Sequence, residues 1–190
     1  MKLLVLLSLI FSQLAAADTK LSLYGSVNFN NPEFEDLSGT TNVDETSEVG
    51  FGAGLRALMG INNQLHVRSG AGLVQKKAGI EYNVLGMKGE TTYTYTYLSI
   101  PLTLYWKASP EVGFFGGTAL NAKMADDCSS SGAGTCESVG EKSLVFPAII
   151  GFDFNFTDKI GMELSYEHGI TETAKDLKIH SAVASFLYHF

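Results

Sequence analysis

The chain has no apolar run long enough to cross a membrane as a helix. Its longest greasy stretch, Leu3 to Leu14, is broken by Ser8, Ser12 and Gln13, whereas a helical span needs about 18 apolar residues. Charge is scarce as well. Asp, Glu, Lys and Arg make up 17% of the chain, against about 25% in an ordinary soluble protein. Bases are scarcer than acids, 13 to 20, for a net charge of −7, which argues against nucleic acid as a partner. There are only two cysteines, Cys128 and Cys136, too few for a disulfide-built scaffold. No histidine lies beside them to complete a metal site. No Ser/His/Asp set, paired acid motif or phosphate loop stands out. His180 and Ser181 are adjacent and would face opposite sides of a strand, and the Gly-x-Gly runs lie inside strand-like segments, where they cannot open a helix. No enzyme activity, cofactor or metal is therefore expected.

What the chain does have is glycine (20 residues) and aromatics (11%), a composition suited to a β protein with tight turns and a crowded interior. It opens with Met1-Lys2, the apolar Leu3 to Leu14 and Ala15-Ala16-Ala17 before Asp18. A basic start, a short apolar core and a small-residue cleavage site read as a secretory signal peptide over 1–17, cut after Ala17. No cysteine follows the cut, so a lipoprotein is excluded. In an exported chain the Cys128/Cys136 pair is expected to form a disulfide inside one loop.

From 18 to 190 the chain reads as one domain of about eight alternating segments. They run near Lys20–Phe29, Val49–Met59, Leu65–Lys76, Thr91–Trp106, Val112–Lys123, Leu144–Phe154, Ile160–Glu167 and His180–Phe190. In the last, Ala182, Ala184, Phe186, Tyr188 and Phe190 share one face, because successive side chains of a strand alternate. The fifth segment is apolar on both faces, with Phe114 next to Phe115, and its phase is open. The connections at 60–64, 107–111 and 155–159 are tight. Those at Asn30–Glu48, Glu81–Glu90, Met124–Lys142 and Ile170–Asp176 are longer and polar. Short turns at one end and long loops at the other mark outer-membrane barrels. An eight-stranded antiparallel transmembrane β-barrel, an up-and-down meander in the outer membrane of a Gram-negative-type bacterium, is the expected fold.

A soluble lipocalin-like carrier would alternate in the same way with its apolar face inward. The polar face decides between them. It holds Gly50, Gly52, Gly54, Gly70, Gly72, Gly151 and Gly161 with Ser, Tyr and a few charges, where a soluble exterior would show many lysines and glutamates. Glycines opposite rings fit a narrow lumen.

The stretch Tyr97-Leu98-Ser99-Ile100-Pro101-Leu102 and the strand opening Phe51-Gly52-Ala53-Gly54-Leu55 resemble the PorT-like outer-membrane β-barrel family. The terminal Tyr188-His189-Phe190 resembles the closing signature of outer-membrane barrels in general. The resemblance implies insertion by the barrel-assembly machinery, with Tyr188 and Phe190 as the assembly signature. It implies no catalytic residue.

Arg56, Arg68, Asp153, Glu163 and Glu167 fall on the inward face. They are expected to pair as a lumen charge network, since a lone buried charge is costly. A barrel of this size is just wide enough for its own side chains, so the lumen is expected to be plugged. The acidic Asn30–Glu48 loop, with Glu33, Glu35, Asp36, Asp44, Glu45 and Glu48, matches no calcium-loop spacing and reads as solvated. If the last hairpin pivots near Ala174, His168 and His180 face each other near the loop end, as ordinary interfacial histidines. The functional reading is a small barrel with a structural or interaction role, adhesin-like or accessory to export. Its expected partners are outer-membrane lipid and an extracellular or periplasmic protein. A lipid- or peptide-modifying outer-membrane enzyme and a soluble periplasmic carrier are the alternatives.

Overall fold

A computed structural model describes residues 19–34, 43–84, 87–132, 136, 142–174 and 176–190. The expected signal peptide and its cut after Ala17 lie outside these residues, as do Glu35 and Asp36 of the acidic loop.

Ten strands form one antiparallel sheet: β1 (Thr19–Phe34), β2 (Val43–Thr46), β3 (Glu48–Gly60), β4 (Leu65–Val84), β5 (Met87–Lys107), β6 (Val112–Gly132), β7 (Leu144–Val145), β8 (Pro147–Asn155), β9 (Ile160–Gly169) and β10 (Leu177–His189). Eight of them close a ring in the order β1-β3-β4-β5-β6-β8-β9-β10, with β10 pairing back onto β1. At that seam Ser22 sits opposite His189 and Phe34 opposite Leu177. Short β2 pairs with β4 beyond β3, and β7 with β6 beyond β8, each continuing the edge that its neighbour in sequence occupies. Closure leaves the ring no raw edge.

The faces sort as a membrane barrel requires. Leu21, Leu23, Phe29, Phe51, Leu55, Leu73, Leu102, Leu104, Ile150, Leu164 and Phe186 are all exposed on the outside, while Tyr24, Asn28, Arg56, Arg68, Ser99 and Glu163 are buried within. In water such an exterior would be a large aggregation-prone patch; in acyl chains it is the solvated face. Phe115 is buried and Phe114 is exposed, which fixes the phase of β6. At the end with the short turns, ring contacts join Trp106 to Phe114, Phe154 to Phe156 and Tyr188 to Phe190, an aromatic girdle of the kind that marks a membrane interface. The turns there, 61–64, 108–111 and 156–159, are closed by side chains. Asn62 Oδ1 accepts from the Leu65 N–H, Ser109 Oγ from Val112 and Thr157 Oγ1 from Ile160, as turn chemistry dictates.

Strand length is where the structure departs from the sequence reading. β1 runs on to Phe34 and β2 occupies 43–46, so much of the expected Asn30–Glu48 loop is strand. The expected Glu81–Glu90 loop is a hairpin with β4 continuing to Val84 and β5 resuming at Met87. β6 continues to Gly132, into the expected Met124–Lys142 loop. β5 has 21 residues; at about 3.3 Å each and a tilt near 45° it rises about 49 Å, roughly twice the ~25 Å apolar band of such barrels. The upper half of the β4–β5–β6 sheet therefore stands clear of the membrane.

Candidate functional site

The lumen is filled in layers. Nearest the short turns, a hydrogen-bond chain crosses four strands. The Ser22 hydroxyl donates to His189 Nδ1 (2.7 Å), and His189 Nε2 donates to Asn155 Oδ1 (2.8 Å). Asn155 Nδ2 donates to Asp153 Oδ2 (3.4 Å), and the Tyr105 hydroxyl donates to Asp153 Oδ1 (2.8 Å). Asn155 presents its oxygen to the ring, so His189 carries its hydrogen on Nε2 and accepts on Nδ1.

Above lies the charge layer. Glu163 accepts from Arg56 and from both terminal nitrogens of Arg68, the latter at 2.9 and 3.3 Å. Arg56 also stacks over the Tyr24 ring at 4.5 Å and Arg68 over Phe115 at 3.6 Å. Glycine makes the room. A Cβ built on Gly72 would run into the Tyr24 hydroxyl and the Ala53 carbonyl, so Tyr24 lies across the lumen only because that position is bare.

Next is a void of about 30 Å³ lined by Ser26, Asn28, Ser99, Ser165 and Ser185. Over it a second ion pair forms, Lys76 Nζ to Glu167 Oε2 at 2.6 Å. Ser181 accepts from Lys76 (3.5 Å) and donates to Asn30 (2.8 Å).

The top is apolar. Tyr93, Tyr95 and Tyr97 line up along β5 with ring centroids 6.5 and 6.4 Å apart, packed with Ala78, Val145, Ala174, Leu177 and Ile179. Leu177 reaches this cluster through a tight turn. The Thr173 N–H donates to the Leu177 carbonyl (2.7 Å), the Leu177 N–H to Ala174 (3.2 Å), and Asp176 takes φ 58°, a left-handed conformation that Asp tolerates. The segment before β10 thus folds into the barrel mouth and caps it.

Of the residues singled out from sequence, Arg56, Arg68 and Glu163 meet in one layer, Glu167 sits in another with Lys76, and Asp153 takes hydroxyl and amide donors rather than an arginine. Lys76 was missed because the third segment was taken to end there, although it lies eight positions beyond Arg68 in the same phase. Tyr188 and Phe190 point outward, both exposed. Cys128 and Cys136 are joined by a disulfide. His168 and His180 stack with centroids 4.5 Å apart. Above the apolar belt, Gly169 N–H donates to His180 Nδ1 (3.3 Å) and His180 Nε2 donates to exposed Glu33 (2.8 Å); that bond holds the Glu33 carboxyl below its ordinary range. Among the described residues no cluster of three or more His, Cys, Asp or Glu is arranged to hold a metal.

Among the described residues the lumen is layered with ion pairs, hydrogen-bonded polar groups and stacked tyrosines. The barrel is shut from the outside.

Several solved structures are similar to this chain. The attachment invasion locus protein Ail of Yersinia pestis, solved with the heparin analogue sucrose octasulfate, is 15% identical, with 90% of this chain and 99% of that one covered at a TM-score of 0.49. Neisserial surface protein A is 12% identical, with 90% and 97% covered at 0.49. OprG of Pseudomonas aeruginosa is 10% identical, with 92% and 96% covered at 0.47. No curated protein matches the chain. The model of the outer membrane protein beta-barrel domain family matches residues 3–190. With eight ring strands, a lipid-facing apolar belt and a polar plugged interior, the chain belongs to the outer membrane protein β-barrel domain family and is a protein of the Gram-negative outer membrane.

Proposed function

We propose that the protein is a non-conducting surface barrel whose working part is the β4–β5–β6 extension, an adhesin-like or export-accessory module that meets a macromolecule outside the cell. The observation that carries this reading is the pairing of a sealed lumen with a tall, regular sheet beyond the membrane. The tyrosine plug and the Leu177 turn close the mouth, so a solute pathway is not what the barrel maintains. The β4–β5 pairing continues in register to Val84 opposite Met87. A stiff hairpin orders its side chains before contact and so reduces the entropy lost on binding. Its outward face carries Gln75, Lys77, Thr92, Thr94 and Thr96, and nearer the tip the exposed Glu81, Lys88 and Glu90.

Within this reading the chain is PorT-like on the strength of Tyr97–Leu102, is exported by the 1–17 signal peptide, and is folded by the barrel-assembly machinery acting on Tyr188 and Phe190. No enzymatic step belongs to it. The test places a photocrosslinking residue at Thr94 or Thr96, both outside the segment removed in the control, in intact cells. Adducts that disappear when Ala78–Tyr93 is replaced by a two-residue turn support the reading. An absence of adducts, with large steady single-channel currents from the purified protein, overturns it.

A further inference from the structure

The barrel is sealed at its outer mouth but hollow at the end that carries the short turns, the periplasmic end in barrels of this class. A cavity of about 120 Å³ opens there and reaches the Arg56–Glu163–Arg68 layer. Its lining runs against the character of the chain. In a protein of net charge −7, this recess gathers Lys20, Arg56, Arg68 and Lys107 with His66 and His189, against Asp153, Asp158 and Glu163.

The donors and acceptors are also out of balance. Glu163 is taken up by two guanidiniums, and both oxygens of Asp153 are occupied by Tyr105 and Asn155. Asp158, on the exposed turn, is the only acid of the lining left without a donor among the described residues. On the other side, Lys20 and Lys107, both in the lining, have no acceptor among the described residues. A recess with surplus positive charge and unused donors calls for an anion that brings several oxygens. At about 10–15 Å³ per water position, the cavity takes about ten waters or one compact group.

We propose that the periplasmic vestibule is a binding site for a small oxyanion, a phosphate or carboxylate group entering from the periplasm. Lys20 and Lys107 draw the anion in at the rim, and the arginine layer forms the positive floor. Arg56 and Arg68 are already oriented by Glu163 and by the rings of Tyr24 and Phe115, so the floor needs no rearrangement on binding.

The experiment uses the disulfide-bonded barrel folded in bilayer nanodiscs, titrated at constant ionic strength with inorganic phosphate and separately with acetate, and followed by NMR at Tyr105, Asn155 and His189. Saturable shifts with a millimolar midpoint are expected. The double variant Lys20→Gln/Lys107→Gln should weaken binding about fivefold while leaving heat-modifiable gel migration unchanged, which separates a lost site from a lost fold. Tighter binding of phosphate assigns a phosphate-bearing ligand, and tighter binding of acetate a carboxylate. Three outcomes each overturn the proposal: no saturation by about 50 mM, well above the expected range; equal binding by the double variant; or saturation of the same signals by magnesium chloride but by neither anion.

Discussion

Removing the Glu163 carboxylate should be the most damaging single change to the lumen. Glu163 is 2% exposed and accepts from two arginines that are themselves 8% and 4% exposed. In Glu163→Leu both guanidiniums remain, buried, like-charged and without their shared counter-ion. Breaking a buried pair by removing one partner costs about 3–5 kcal/mol. The vestibule beneath admits some water to the arginines, which favours the lower half of that range. The single tryptophan, Trp106, faces lipid at the interface, so its fluorescence reports extraction from the membrane. With a urea slope of about 2 kcal/mol per molar, the unfolding midpoint in vesicles should fall by roughly 1.5–2 M. The triple variant Arg56→Met/Arg68→Met/Glu163→Leu should recover most of the loss, because an apolar filling of similar volume avoids the desolvation cost altogether. A loss below about 1 kcal/mol in the single variant, or a triple variant no better than the single, would show that the layer is solvated and that the reasoning from burial is wrong.

Other outcomes follow from the same architecture. Reagents confined to hydrocarbon should label Phe186 and Leu164 and spare Glu163, and Leu164→Arg should cost about 2–4 kcal/mol near the midplane in the same urea titration; labelling of Glu163 instead would invert the barrel. Gly72→Val should destabilise by about 1–3 kcal/mol through overpacking and shift the tyrosine fluorescence of Tyr24, whereas Gly25→Ala, which has no neighbour within 4 Å of an added Cβ, should be close to neutral. Mass spectrometry of protein taken from outer membranes should show a chain beginning at Asp18; a mass that retains residues 1–17 would refute the signal-peptide reading. Purified barrel in a planar bilayer should show negligible conductance, and reduction of the Cys128–Cys136 bond should not change that.

The membrane-embedded part was the legible part. There, lipid on one side and packed polar groups on the other impose a period of two, and segments such as Leu98–Trp106 and Ile160–Tyr166 display it without interruption. The glycines on the inward face were equally readable, because a strand interior rarely tolerates them without a close neighbour. Legibility faded where the strands leave the bilayer. On β4 and β5 above Val74 and Thr96 the outward face meets water and the inward face meets the plug, so Thr, Lys and Tyr replace the greasy contrast, and a polar stretch was read as loop. The plug itself was hidden. Nothing local in Ala174–Leu177 says that it folds into the mouth against Tyr93, Tyr95 and Tyr97; only the ring geometry brings segments some eighty residues apart into one cluster. The charge layer was foreseeable in membership but not in partners, since a face assignment gives no height along the barrel axis.

The seam between β1 and β10 has a consequence for biogenesis. Its two halves are separated by nearly the whole chain, so no intermediate on the ribosome or in transit can shut the cylinder, and closure is a late, non-local event. A chain halted before β10 is synthesised would present two bare strands, one on each side of the gap, each able to template intermolecular pairing. Only a chain that carries β10 can hide its own margins; one that stops at β9 leaves both bare.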